Sequence, residues 1–113
     1  NTYEGKEPKE EMADVVVFDE ELDLALLRMR TERHFPWVAK PYPREKASDI
    51  RVFTPVYAVG CPLGNDPIPT AGEIASTHNV INNQNYWMLN APTYFGNSGG
   101  GIYLAWKMFG GRK

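Results

Sequence analysis

The stretch "ELDLALLRMR", residues 21–30, reads in two ways, and the choice between them decides the fold. Leu, Ala, Arg and Met are good helix formers, yet so short an apolar run carries no period that separates a helix from a buried strand. Its carboxylate follows the same fork. On a helix, Asp23 is solvated among Glu20, Glu21 and Arg28; in a strand it sits at least partly buried and needs a partner, because an unpaired buried carboxylate costs several kcal/mol. The surroundings weigh toward β-structure. Nine prolines and ten glycines cut the chain into short segments. "ADVVVF" (13–18) is β-branched, and "PVYAVG" (55–60) reads as a strand ending in the turn "CPLGNDP" (61–67). "TAGEIASTHNV" (70–80) reads as a strand with Gly72 as a bulge or close-approach point, and "NNQN" (82–85) as a hairpin turn leading into "YWMLNA" (86–91). Between these groups "TERHFPWVAKPYPREK" (31–46), with Pro36, Pro41 and Pro43, reads as a crossing linker and the boundary of two domains. An all-β architecture is the expectation.

Composition narrows the function classes. A chain of 113 residues has room for one small domain or pieces of two. With 12 Lys and Arg against 14 Asp and Glu, it has a formal charge of -2 and no basic stripe, so neither nucleic acid nor an anionic membrane is an expected partner. No apolar run approaches the roughly 18 residues of a membrane span, and "NTYEGKEPKEEM" has no signal-peptide core; a start at Asn1 suggests that this is not a native amino terminus. Cys61 is the only cysteine, which excludes an intrachain disulfide. With His34 and His78 distant from it, no metal-ligand spacing exists and no cofactor is expected.

"YFGNSGGGIY" (94–103) surrounds Ser98 with Gly96, Gly99, Gly100 and Gly101, between aromatic flanks of the kind that fill a β core. By itself this is an ordinary glycine-rich turn, and no Gly-Lys-Ser/Thr makes it a phosphate loop. A serine nucleophile, however, needs a base and backbone N–H donors aimed at the developing oxyanion. A glycine at 96 frees the backbone to turn its N–H and that of Ser98 into one pocket, while Gly99 and Gly100 allow another strand or a substrate to approach closely.

The order of segments adds more than any one of them. "DLALLRM" (23–29), "VYAVGCPLG" (56–64), the alternate residues Thr70, Gly72, Ile74 and Ser76, and "NAPTYFGNSGG" (90–100) together resemble the trypsin-like serine peptidases, nearest to the HtrA/Deg type. The resemblance covers roughly residues 13–104. It implies a chymotrypsin-like double β-barrel, incomplete here: residues 1–44 as the end of the first barrel and the linker, residues 45–113 as most of the second. It further implies Ser98 as nucleophile, Asp23 as the carboxylate orienting the catalytic histidine, and the N–H groups of Gly96 and Ser98 as the oxyanion hole. "DLALL" then becomes a buried strand. Pro92, with Thr93 beside it, falls at the base of the primary specificity pocket, where no acidic residue stands, so an uncharged substrate side chain is expected.

Two departures qualify the pattern. Residues 1–22 hold no histidine, whereas the family places its base upstream of the aspartate; His34 and His78 lie on the wrong side of Asp23 and read as linker or surface residues. At the other end "WKMFGGRK" closes the chain where the family continues into a further strand and the far pocket wall. The expectation is a fragment of a serine endopeptidase, acting through an acyl-enzyme on Ser98. Its partners would be an extended or unfolded polypeptide substrate and the missing N-terminal part of the same protein, which supplies the histidine. The alternative is a non-catalytic peptide-binding module on the same fold. Cys61 reads as a half-buried structural thiol.

Overall fold

The computed structural model describes residues 2–4, 7–9, 11–36, 38–94 and 96–105. They fall into two compact units, residues 1–40 and 41–113.

In the first unit, β1 (Thr2–Glu4) pairs with β2 (Glu7–Lys9), and β3 (Ala13–Asp19) pairs antiparallel with β4 (Leu24–Met29). The ambiguous stretch is therefore a strand. Its helix-forming residues are overridden by cross-strand partners, Val15 opposite Leu27, Val17 opposite Leu26 and Phe18 opposite Ala25. The reversal is local in origin: the Leu22 N–H donates to Asp19 Oδ1 at 3.0 Å, and Asp23 takes a left-handed φ of 55° before β4 begins. An exposed Arg30–Asp14 ion pair closes the open end of the hairpin, and the carboxylate raises the guanidinium pKa. The expected burial does not follow. Every residue of β4 is exposed, as is Asp23, because two strands alone cover neither face of their hairpin.

Residues 31–36 and 38–43 form no helix or strand, and Arg44–Asp49, within the second unit, forms a short 3-10 helix. Beyond it lies a four-stranded antiparallel sheet in the order β7 (Gln84–Leu89), β6 (Ile68–Ile81), β5 (Pro55–Gly60), β8 (Gly101–Leu104). β5 matches the sequence expectation residue for residue. The β6–β7 turn narrows to Asn82 and Asn83, both left-handed at φ 50° and 66°, the two-residue geometry that suits a twisted hairpin. Gly72 is a close-approach point rather than a bulge: a Cβ there would lie 2.4 Å from Ala91 N. The core gathers Val56, Ala58, Ile74 and Ala91. No sheet closes among the described residues, and an apolar cleft of ≈250 Å³, lined in part by Ile50, Trp87, Ile102 and Tyr103, opens over Val56 and Ile74.

Candidate active site

Residues 90–100 are held at both ends by the strands around them. At the first end, the Glu73 N–H donates to Asn90 Oδ1 at 2.7 Å and the Asn90 N–H donates to the Glu73 carbonyl at 3.0 Å. Beside them the Thr70 hydroxyl donates to the Pro92 carbonyl at 2.7 Å, and Ala91 is buried against Gly72. This fixes Pro92 and Thr93 along β6.

At the second end, the segment folds onto the last residues of β5 and the 3-10 turn Pro62–Gly64. A Cβ at Gly100 would lie 2.4 Å from the Val59 carbonyl oxygen, and one at Gly60 would lie 2.5 Å from Asn97 Oδ1. Gly96 has both requirements of a glycine: a φ of 96°, and a Cβ position 2.8 Å from Leu63 N and 2.9 Å from the Cys61 carbonyl oxygen. Two backbone hydrogen bonds close the turn, Asn97 N–H to the Tyr94 carbonyl at 3.1 Å and Gly100 N–H to the Asn97 carbonyl at 2.9 Å. Ser98 stands exposed between them.

Two expectations about this segment are corrected. Gly99, with a φ of 85°, has open space around its Cβ position, so no strand approaches it, and the close approach of a strand falls to Gly100. Tyr94 and Tyr103 are exposed and do not fill a core; Phe95 lies outside the described residues, as do residues 106–113 with "WKMFGGRK".

The chemistry available is that of an exposed hydroxyl beside two backbone amides. Among the described residues nothing accepts a hydrogen bond from the Gly96 or Ser98 amide, and the Ser98 hydroxyl is also unbonded. Asn97 Oδ1, by contrast, is buried without a hydrogen-bond partner among the described residues. Asp23 belongs to the other unit, where it ends the β3–β4 turn. His34 is exposed in the linker and His78 is exposed on β6. Cys61 is a half-buried free thiol, and its carbonyl rather than its sulfur meets the Gly96 turn. A groove of ≈560 Å³ lined in part by Ser48, Arg51, Val52 and Trp87 contains none of the candidate residues. No helix of the described residues is long and apolar enough to cross a membrane.

Sequence reasoning gave no role to Thr70, Asn90 or Leu63, each of which contacts this segment. Thr70 was visible as one of the alternating residues of β6, but nothing in the sequence says that its hydroxyl reaches Pro92 across 22 positions. Asn90 and Leu63 fell within the motif stretches 90–100 and 56–64, but nothing there marked either residue as a contact of this segment.

Antiparallel sheets that present a serine on a glycine-shaped turn define a class, and comparison with known families names it. The trypsin-like peptidase domain family matches residues 1–110, and the chain belongs to that family. Its all-β structure is that of the chymotrypsin-like fold with the barrel incomplete. No curated protein matches the chain.

Proposed function

We propose that the protein is a serine endopeptidase of the HtrA/Deg type that hydrolyses peptide bonds through an acyl-enzyme on Ser98. The observation that supports this most directly is the Gly96–Ser98 turn, where a left-handed glycine with no room for a side chain stands two residues before an exposed serine and both amides are free among the described residues. Preorganised N–H donors of this kind stabilise an oxyanion without reorganising during the reaction.

In this reading residues 1–44 are the end of a first barrel with its linker, residues 45–113 are most of a second, and the catalytic histidine comes from sequence outside these 113 residues. That histidine takes the Ser98 Oγ proton as the oxygen attacks the scissile carbonyl, and Asp23 holds the imidazole in the tautomer able to do so. The carbonyl oxygen, now negative, accepts hydrogen bonds from the Gly96 and Ser98 amides. Collapse of the tetrahedral intermediate breaks the C–N bond, and the imidazolium proton leaves on the amine. Water then attacks the ester by the same route, and Ser98 regains its proton. Pro92 and Thr93 form the base of the primary pocket and favour an uncharged side chain, and the substrate is an extended or unfolded polypeptide.

An organophosphonate probe tests the assignment, because it reacts only where a base activates the hydroxyl and donors meet the developing charge. In the protein that includes the histidine, mass spectrometry is expected to find the label on Ser98 and none on Cys61. Folded protein with an unlabelled Ser98 peptide would place a non-catalytic peptide-binding module ahead of the peptidase.

A further inference from the structure

We propose that Leu63 contacts the substrate residue that follows the scissile bond and selects an apolar side chain there. The inference rests on Ser98 being the nucleophile.

Leu63 is anomalous on two counts. Its backbone is left-handed, with φ 56° and ψ 27°, a conformation that crowds the Cβ of a leucine and that Gly or Asn would adopt at lower cost. Its side chain is 72% exposed, so packing does not repay the strain. Strained residues of this sort persist where the surrounding structure holds them, and they gather at ligand-binding positions. The restraints here are visible: the Gly64 N–H donates to the Cys61 carbonyl at 3.2 Å and the Asn65 N–H to the Pro62 carbonyl at 3.1 Å, which pins the turn on both sides of Leu63.

Its place supplies the ligand. The Leu63 amide nitrogen is 2.8 Å from where a Gly96 Cβ would be, so its backbone lies directly on the turn that carries the candidate oxyanion donors. Pro92, earlier in the same segment, is tied to Thr70 on β6. Leu63 therefore adjoins the stretch bearing the Gly96 and Ser98 amides at Gly96, four residues beyond Pro92. A peptide whose scissile carbonyl points at those amides, with the preceding side chain over Pro92 and Thr93, sends its following residue toward Leu63. An exposed leucine offers that residue an apolar contact and no hydrogen bond, so it favours Leu or Phe over Gly, Ser or Asp.

The test separates the leaving side from the rest of the reaction. The protein with its histidine is acylated by a peptide ester that has no amino acid after the scissile bond, and the acyl-enzyme is then partitioned between water, leucinamide and glycinamide. In the aminolysis branch the α-amino nitrogen of the amino-acid amide attacks the acyl carbon, the Ser98 ester C–O bond breaks, and the amine proton passes through the histidine to Ser98 Oγ. The parent is expected to prefer leucinamide over glycinamide by about tenfold, the scale of one partly buried aliphatic side chain. Leu63→Asn and Leu63→Gly, which suit the left-handed turn, are expected to bring that ratio to about unity while the partition between glycinamide and water is unchanged. An unchanged ratio in both variants overturns the proposal. So does an equal fall in ester hydrolysis and aminolysis, which would make Leu63 a support of the turn. Failure of the parent to hydrolyse the ester at all would instead refute the serine-peptidase reading, and this inference with it.

Discussion

The β3–β4 hairpin and the β5–β8 sheet are written in similar residues and end in opposite states. Val15, Val17, Phe18, Leu24, Leu26 and Leu27 are all exposed in the hairpin, whereas Val56, Ala58 and Ile74 are buried in the sheet. Strand formation needs only a partner edge, and the hairpin has one. Burial needs something across a face. β5 has strands on both sides, and the 90–93 segment packs across β6 at Gly72; among the described residues of its own unit the hairpin has neither. Apolar patterning therefore reports which residues form strands, and the layers around them determine which of those strands make a core.

Three experiments press on this contrast. The largest effect is expected from the region without a core. In the histidine-containing protein, Asp23→Asn should lower kcat about ten-thousandfold with KM nearly unchanged, because an amide holds the imidazole in the wrong tautomer. Steady-state kinetics with a peptide ester measures both constants, and a loss below about tenfold would leave the exposed turn with no part in the chemistry.

Next is the turn that the sheet supports. Gly96→Ala places a methyl group against Leu63 N and the Cys61 carbonyl oxygen at a φ of 96°, and should cost about 10²- to 10³-fold in kcat as a donor of the oxyanion hole is displaced. Gly64→Ala is the comparison, since Gly64 has a φ of 74° but open space around it, and should lose stability by about 1 kcal/mol with kcat nearly intact. Equal effects of the two changes on kcat would mean that contact with the 61–63 turn does not matter.

The smallest effect contrasts the two regions directly. Ile74→Ala, at 4% exposure, should lower the unfolding free energy by about 2–5 kcal/mol. Leu26→Ala, at 59% exposure, should lie within about 0.5 kcal/mol of the parent. Urea denaturation of the whole chain checks both, and a large loss at Leu26 would reveal cover on the hairpin.

How far the sequence could be read follows from the range of the interactions involved. β5 was legible because its composition and the turn residues after it agree with the strand that β6 and β8 complete, and the Asn82–Asn83 turn because its preference is local. The "ELDLALLRMR" stretch was not, because its local preference is helical and its strand state comes from pairing with Val15, Val17 and Phe18. Gly96 was legible as a residue needing freedom at φ; that Leu63 and Cys61 also exclude a side chain there was not. The burial expected of Asp23 and β4 failed because it assumed a covering layer that no sequence window contains.

By itself the sequence determined a β-rich chain, the turns that punctuate it, and a serine set among glycines in the motif order of trypsin-like peptidases, since each of these is written in dihedral preference and short-range pattern. Only the tertiary structure decided that Thr70 and Asn90 hold one end of the Ser98 segment, that Gly60, Gly96 and Gly100 let the other end settle on β5, and that Leu63 is held strained and exposed beside it. Those contacts join residues 17 to 41 positions apart, and which groups meet at such separations is set by strand register and close backbone packing, which no local preference encodes.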